Sequence, residues 1–323
     1  KVSHINILSA LNYGETIQIN VISVLGVKTS VSYTVPDLGT TEPDYDAADK
    51  ARATKKVAES LATLLNAVTG ITATALSSSV AVHEDLKVDW LQVEVETGQG
   101  TRTSVAINQI IESTDGLPLY AVVGTRITVR PDPTSDKGIY YLQAERISDN
   151  PTGEVLEEVI WSEDRHPTQP HSIASGTLPH KIEYNGTDFT FGPVDYKSRR
   201  TGDEDSTPFP EFVGAAIQSM GYFQKRLVVV AENAVYMTET EDLRNWFRQS
   251  AVQLFVTDPI GVTTSELGAD VILHLVPHNK DLLVITSNSQ FKIVGSEALT
   301  PQTVSMSLTT KYECQVSVAP VTI

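Results

Sequence analysis

Residues 222–259 constrain the fold of this chain more tightly than any other segment. Residues 227–230 form a continuous apolar run, which is typical of a strand buried on both faces. Glu232 and Asn233 then make a short polar break, and residues 234–237 are mostly apolar again. The pattern predicts a β-hairpin with a tight turn at Glu232 and Asn233.

A second hairpin is predicted further along the chain. Asp242 is predicted to cap a short turn that delivers two large apolar side chains, Trp246 and Phe247, to a packing surface. Residues 282–286 then have the pattern of a buried strand, and residues 290–294 that of its return strand. Two hairpins centred about 55 residues apart are typical of a blade-like or solenoidal β architecture.

A set of short matches, in one order along the chain, carries a family resemblance. We call its members the signature positions: Trp161, Glu163, Leu178, Pro179, His180, Arg226, Glu232, Asn233, Trp246, Phe247, Asp258, Pro259, Gln290, Phe291, Thr300 and Pro301. Gly202 and Asp203, followed by two prolines, belong to the same series. With these residues the chain resembles the tail tubular protein B, or nozzle protein, family of short-tailed, podovirus-type bacteriophages. The resemblance covers most of the chain, is strongest from residue 140 onward, and includes no single diagnostic motif.

The resemblance implies a structural protein and not an enzyme. It implies that the chain forms part of the nozzle of a short tail tube, through which genomic DNA is ejected into the host. The implied partners are other copies of the chain in a homohexameric ring, the tail adaptor or gatekeeper protein, the tail fibres, the host envelope at infection, and double-stranded DNA in transit without tight binding. The implied location is the virion tail, after synthesis in the host cytoplasm. No cofactor and no metal is implied, and the signature positions are expected to be structural.

The net charge of −16 argues against one class of function. Proteins that hold DNA through phosphate contacts need basic patches, and this chain has 24 Lys and Arg against 40 Asp and Glu. Solubility alone can account for an acidic chain. The family resemblance implies a second role for the negative charge: a conduit wall that repels DNA does not trap the genome.

The chain of 323 residues is long enough for two or three domains. It contains no apolar run long enough to span a bilayer and no recognisable signal peptide. Its one cysteine, Cys314, cannot form an internal disulfide, which suits assembly in a reducing cytoplasm. Because the sequence starts at Lys1 without an initiator Met and stops within a strand-like pattern, we expect it to be part of a longer polypeptide.

The pattern predicts a mainly β protein with a small α+β module at its N-terminus and β-hairpin repeats that resemble an irregular propeller. Residues 1–83 form the predicted module, with an antiparallel strand pair at 17–21 and 29–35. Its one amphipathic helix is predicted to be capped by Asp46, to continue to about Val68 and to stop at Gly70. Residues 84–177 form a mostly β domain with a hairpin near residues 139–161. Residues 178–323 form the β-hairpin region, truncated at its C-terminal end.

Two loops of this third region carry predictions of their own. Asn185 and Gly186 are a favoured two-residue turn, which predicts a hairpin between the apolar positions on either side. Residues 198–212 form a long loop with both signs of charge, and long loops in compact folds are usually functional or mobile. We interpret this loop as a subunit contact.

Histidines are the first candidates for chemistry. His274 and His278 have the spacing of two metal ligands on a helix, but the residues before Pro277 have the pattern of a strand, so we interpret both as structural. Another group, in and around a Pro-rich loop, contains the residue types of a hydrolase triad: His166, His171, His180, Glu163, Asp164 and Ser172. No Gly-x-Ser-x-Gly motif accompanies them, and bracing of the loop is the favoured interpretation.

Adjacent carboxylates are the remaining candidates. The pairs Glu157-Glu158 and Glu204-Asp205 could imitate a glycosidase dyad, although adjacent acids usually lie on a solvated surface. They keep open the alternative of a carbohydrate-binding or glycan-hydrolysing β protein of the virion surface. That alternative requires aromatic side chains that converge beside two carboxylates, and the three tryptophans of the chain are too scattered in sequence to favour it.

Overall fold

The computed structural model describes residues 2–23, 25–37, 50, 52–84, 90–263, 270–294, 298–315, 318 and 320. The described part is mainly β, as predicted, and contains the helix α1 (Thr54–Asn66). Asp46, the predicted cap of that helix, lies outside the described residues, and Ala53 stands at the N-cap position. Within these segments no helix is both long enough and apolar enough to cross a membrane.

The chain divides into two compact units, Lys1–Asp164 and Arg165–Ile323, which we call unit 1 and unit 2. This division differs from the three segments 1–83, 84–177 and 178–323 read from the sequence. The physical reason is strand pairing across residue 83. β6 (Trp90–Thr97) pairs with β2 (Thr16–Ser23), and β7 (Ser104–Ile107) pairs with β1 (Val2–Ile7).

Unit 1 begins with two sheets that share a core with α1. The other strands of these sheets are β3 (Lys28–Thr34), β4 (Ile71–Leu76) and β5 (Ser79–Glu84), and the strand orders are β4-β5-β1-β7 and β3-β2-β6. The helix buries Val57, Leu61 and Leu65 in that core, which is the face predicted from their spacing. Gly70 then takes a φ of +84°, a conformation that glycine accepts readily, and the chain turns into β4.

A five-stranded sheet completes unit 1. Its strands are β8 (Ile110–Ile111), β9 (Tyr120–Ala121), β10 (Arg126–Val129), β11 (Tyr140–Arg146) and β12 (Glu157–Asp164), in the order β8-β10-β11-β12-β9. The hairpin predicted near residues 139–161 is confirmed as β11–β12, with Ala144 opposite Trp161. A separate small core of aliphatic side chains from β8, β10 and β11 lies on this sheet.

The described part of unit 2 contains a two-stranded ribbon and two four-stranded sheets. The ribbon is formed by β13 (His180–Tyr184) and β14 (Phe189–Pro193). The first four-stranded sheet contains β15 (Ile217–Phe223), β16 (Arg226–Ala231), β17 (Ala234–Met237) and β18 (Ile260–Val262). The second contains β19 (Ile272–His278), β20 (Asp281–Thr286), β21 (Gln290–Ile293) and β22 (Met306–Thr310).

The two four-stranded sheets have the strand order of propeller blades. In each of them successive strands are antiparallel neighbours, in the orders β15-β16-β17-β18 and β19-β20-β21-β22. One core joins the sheets, since Val228 of the first lies in the same buried cluster as Val284 and Phe291 of the second. The propeller-like hairpin pattern read from the sequence therefore corresponds to two consecutive four-stranded meanders.

The predicted turn at Glu232 and Asn233 is confirmed. Ala231 and Ala234 face each other, so these two residues alone join β16 to β17. Glu232 has a φ of +53°, the left-handed region that tight hairpin turns use. The second predicted hairpin is confirmed as well, since β20 and β21 pair along their length.

The loop of the ribbon is longer than predicted. Tyr184 faces Phe189, so residues 185–188 form a four-residue loop, and the predicted two-residue turn was wrong. The side chain of Asn185 gives the physical reason. Its Oδ1 accepts the backbone N–H groups of Thr187 and Asp188 at 2.9 and 2.8 Å, which closes a wider turn than the Asn-Gly pattern assumes.

Candidate functional site

A buried guanidinium joins distant segments of unit 2. Arg226 begins β16, and its side chain is 1% exposed. Nη1 donates to the carbonyl oxygens of Thr238 and Asp258 at 2.5 and 2.8 Å. Nη2 donates to the carbonyl oxygens of Val256 and Leu299 at 3.2 and 3.4 Å. We call this arrangement the Arg226 hub, because one side chain ties together four positions of the backbone.

The hub unites signature positions that are far apart in the sequence. Asp258 supplies one carbonyl, and Leu299, directly before two signature positions, supplies another. The carboxylate of Asp258 is itself buried, and it accepts the N–H groups of Gln249 and Phe255 at 3.1 and 2.8 Å. The polar groups of this region are thus satisfied by the backbone, as buried polar groups must be. Such an arrangement holds separate loops of unit 2 together.

A second buried arginine organises residues 198–212. Arg199 is 1% exposed, forms an ion pair with Glu204 and lies over the rings of Phe209 and Phe247, with its guanidinium carbon 4.6 and 5.7 Å from the ring centroids. Cation–π contacts of this kind hold a charge against an aromatic face. Arg199 is therefore buried within unit 2, whereas Glu204 and Asp205 of the same loop are exposed. The subunit contact predicted for this loop stays a prediction.

Gly202 and Asp203 close this long loop. The carbonyl of Gly202 accepts the N–H of His166 at 2.8 Å, and the Oδ1 of Asp203 accepts the N–H of Ser206 at 3.0 Å. Gly202 has a φ of +73°. A Cβ at this position would collide with Ser206 Oγ and would lie 2.9 Å from Thr207 Oγ1. The site therefore requires glycine for both its backbone conformation and its close packing.

We expect Gly202→Ala to lower the unfolding free energy of unit 2 by about 2 kcal/mol, because it adds a steric collision to backbone strain. Two other glycines of unit 2 are matched controls. Gly214 has a φ of +96° with no atom close enough to contact a Cβ, so Gly214→Ala measures strain alone. Gly176→Ala introduces neither effect. Urea denaturation compares the three variants, and equal losses for Gly202→Ala and Gly214→Ala would show that the collision is absent.

An apolar groove of about 320 Å³ lies beside β18. Its walls are mostly apolar, with proline and aromatic side chains (Pro208, Phe209, Pro210, Tyr236, Trp246 and Pro259) beside aliphatic ones, and they also carry Glu211 and Arg248. The hydroxyl of Tyr236 donates to Glu211 Oε2 at 3.0 Å, and burial together with this bond raises the pKa of Tyr236. The tyrosine is therefore a neutral donor at physiological pH. We call this site the Pro208 groove, and its apolar walls with few polar groups suit an apolar side chain.

The other signature positions occupy packing contacts and turns. Trp161 Nε1 donates to the carbonyl of Pro118 at 3.0 Å, and Gln290 Nε2 donates to the carbonyl of Tyr312 at 2.8 Å. The buried members are Leu178, Trp246, Phe247, Phe291 and Thr300. The half-buried members include Glu163, Pro179, Pro259 and Pro301, and the exposed ones are His180, Glu232 and Asn233. Their spread over separate contacts points to a framework and not to one cleft.

The candidate triad residues His166 and Ser172 make hydrogen bonds that fold their loops. His166 Nδ1 accepts the N–H groups of Thr168 and Gln169, both at 3.2 Å, and so braces its own loop. The hydroxyl of Ser172 lies 3.1 Å from that of Ser198. These are the contacts that fold a loop, and they do not form the base–nucleophile pair that a triad needs.

The remaining candidate groups lie on separate strands of the fold. The carboxylate of Asp164 is bound by Arg126 Nε at 2.7 Å, and His180 lies on the exposed ribbon. His274 and His278 lie on the strand β19, as predicted, and not on a helix. Across the described ranges, no group of three or more His, Cys, Asp and Glu side chains is placed to hold a metal ion.

Both candidate carboxylate dyads are split by ion pairs. Glu157 is buried and receives two hydrogen bonds from Arg146 at 2.5 and 2.9 Å, which lower the pKa of that carboxyl. Glu158, its neighbour on the same strand, is exposed on the opposite face of the sheet. In the second dyad Glu204 is paired with Arg199. Neither pair presents two carboxylates to a common cleft.

Two comparisons relate these features to known proteins. The sequence model of the bacteriophage nozzle protein family matches residues 3–323. The chain is also 24% identical over 210 residues to the tail tubular protein gp12 of Escherichia phage T7, in an alignment that covers 65% of this chain and 25% of that protein. The chain thus spans about a quarter of the length of that curated relative. The resemblance found in the sequence is confirmed, and the chain belongs to the bacteriophage nozzle protein family.

Proposed function

We propose that this chain is a structural part of the nozzle of a short phage tail, through which genomic DNA leaves for the host. The observation that carries the proposal is the match to the nozzle family over residues 3–323. The geometry supports it, because the buried side chains of Arg226 and Asp258 hydrogen-bond to the backbone of neighbouring loops and so hold the fold together. No covalent chemistry is needed for this role.

The proposed role defines the partners. Copies of the chain form a homohexameric ring that docks against the tail adaptor or gatekeeper protein, contacts the tail fibres and faces the host envelope at infection. The protein resides in the virion tail after synthesis in the host cytoplasm. Double-stranded DNA passes without tight binding, and the net charge of −16 supports this behaviour, because an acidic surface repels phosphate groups.

Immunolabelling of phage particles tests the proposed role. We expect antibodies raised against the purified chain to label the distal end of the short tail in electron micrographs of the phage that encodes it. Serum taken before immunisation is the control. Label on the capsid, or intact tails without label after mild exposure of their surface, would contradict the proposal.

A further inference from the structure

The β13–β14 ribbon presents an apolar face to solvent. Side chains at every second position of a strand share a face, and the cross-strand register puts one set together: His180, Ile182, Tyr184, Phe189, Phe191 and Pro193. Four of these side chains are large and mostly exposed, with Ile182 at 71%, Tyr184 at 58%, Phe189 at 74% and Phe191 at 75%. We call this set the ribbon face.

The ribbon has a polar face on its other side. Lys181 pairs there with Glu183 at 2.7 Å, and Thr190 lies opposite Glu183. On the ribbon face the rings already contact one another, since His180 stacks on Phe191 with their centroids 5.1 Å apart. A sheet with one polar and one apolar side is the pattern of a structure that is covered on its apolar side.

The energetics of the ribbon also call for a covering surface. In the part of the chain that the structure describes, β13 and β14 pair only with each other, and an isolated two-stranded ribbon is at best marginally stable in water. Large aromatic side chains bury about 150–250 Å² each, so the ribbon face exposes roughly 500 Å² of apolar surface. Patches of this size mark interaction sites on soluble proteins. A standard interface buries about 800 Å² on each partner, and the ribbon face supplies most of that area.

Charge restricts the surfaces through which two copies of the chain can meet. Two copies of a chain with a net charge of −16 repel each other, so they approach best through surfaces that carry no carboxylate. No residue of the ribbon face is acidic. The Pro208 groove offers a largely apolar surface of about 320 Å³ that is open to an inserted ring. Its one carboxylate, Glu211, accepts the hydroxyl of Tyr236, and the cation Arg248 also lines the groove, so the groove carries no net negative charge.

We propose that the ribbon face docks in the Pro208 groove of a second copy of this chain, with Phe189 and Phe191 as the anchors. The ribbon and the groove are different surfaces, so the contact is heterologous and repeats around a closed ring. The inference deepens the proposed function and rests on it, because it assigns the contact between neighbouring subunits of the nozzle ring.

Sedimentation velocity over a range of concentrations, with negative-stain imaging of the assemblies, tests the ribbon face. Phe191→Lys and Thr190→Lys are a matched pair, since each adds one positive charge to β14, on opposite faces of the ribbon. We expect the wild-type chain and Thr190→Lys to form the same rings. Phe191→Lys should weaken association at least about tenfold, or 1.4 kcal/mol per contact. Both positions are exposed, so an unchanged circular dichroism spectrum confirms that the variants fold.

Two results of this experiment would overturn the proposal. One is equal association of Phe191→Lys and Thr190→Lys, which would show that the ribbon face is not the contact. The other is a wild-type chain that stays monomeric at about 100 µM, since two subunits of a stable ring bind more tightly than that.

Disulfide trapping tests the groove. In a Cys314→Ser background, Phe191→Cys and Pro210→Cys are purified separately and then mixed under oxidising conditions. We expect a disulfide between position 191 of one copy and position 210 of another. Thr190→Cys in place of Phe191→Cys is the control and should not form it. Preferential bonding between two copies of position 191 would indicate contact between ribbons and would overturn the groove assignment.

Failure of the ribbon contact and failure of the nozzle role give different results. Labelled tails together with normal association of Phe191→Lys would place the ring contact elsewhere and leave the nozzle role in force. Tails without label would end the nozzle role and, with it, the assignment of the ribbon to a nozzle ring.

Discussion

Arg226→Met is expected to lower the free energy of unfolding of unit 2 by about 3–5 kcal/mol. The substitution leaves four backbone carbonyl oxygens without their donor, among them those of Thr238 and Leu299. Each buried group left unsatisfied costs about 1–3 kcal/mol. Part of the loss is offset, because the desolvation that lowers the pKa of Arg226 disappears together with the charge.

Fluorescence of Trp246 in urea measures this loss. Trp246 is the only tryptophan in residues 165–323 and is buried, so a background with phenylalanine at the other two tryptophans reports on unit 2 alone. Arg226→Lys should fall between wild type and Arg226→Met, because an ammonium has three donors and lacks the planar fork of a guanidinium. Lys225→Gln is the adjacent control. Lys225 forms an exposed pair with Glu241, so its replacement should leave the midpoint unchanged.

A loss for Arg226→Met no larger than for Lys225→Gln would contradict the structural role of the Arg226 hub. Water would then satisfy the four carbonyl groups as well as the guanidinium does. A change in the slope of the urea transition, without a change in midpoint, would point to the unfolded state instead.

Elements held by local hydrogen bonds could be predicted from the sequence. The hairpins β16–β17 and β20–β21 follow from apolar runs on either side of short polar turns, and α1 follows from the spacing of Val57, Leu61 and Leu65. In each case the sequence pattern and the hydrogen bonds it predicts lie within the same hairpin or helix. The loop at Asn185 shows the limit, because a side chain that accepts two amides overrode the backbone preference of Asn-Gly.

Long-range contacts could not be predicted in this way. The carbonyls that bind Arg226 belong to residues 12 to 73 positions further along the chain, and no local pattern states that they converge. From sequence alone, an arginine at the start of an apolar strand is normally predicted to be exposed to solvent. The same limit explains the unit boundary, because pairing of β6 with β2 joins segments more than 60 residues apart. The family resemblance marked Arg226 as a signature position, and the structure shows that its side chain is buried.

Acid is expected to destabilise unit 1 through His4. This residue lies in β1 with its side chain fully buried, and its Nε2 accepts the N–H of Val122 at 3.1 Å. Burial, and then the charge of nearby His83, lower the pKa of His4 from 6.5 to about 4. The folded pKa is below the unfolded value, so the stability that the neutral ring contributes is complete above pH 6.5 and is lost as the pH falls from 6.5 towards 4. The difference between the two pKa values corresponds to about 3 kcal/mol.

The geometry of His4 explains why protonation has such a large effect. Protonation of Nε2 would place two N–H donors against each other at Val122. Nδ1 has no hydrogen-bond partner among the described residues, so no acceptor there would stabilise the charged imidazolium ring. The pKa of His83, which lies on the neighbouring strand β5, is also lowered, chiefly by burial. The acid-sensitive element is therefore the buried strand β1, and not the surface.

Urea denaturation at about pH 7.5 and about pH 4.5 measures the effect. Trp161 is the reporter, because its ring lies edge-on to His4 with the centroids 6.5 Å apart, and phenylalanine replaces the other two tryptophans. His4→Gln keeps an amide oxygen that can accept the N–H of Val122 and cannot gain a proton, so it should lose most of the pH dependence. His278→Gln, at an exposed histidine of unit 2, should retain all of it. If His4→Gln were as sensitive to acid as the wild type, the pH dependence would belong to carboxylates, and the buried histidine would have no part in it.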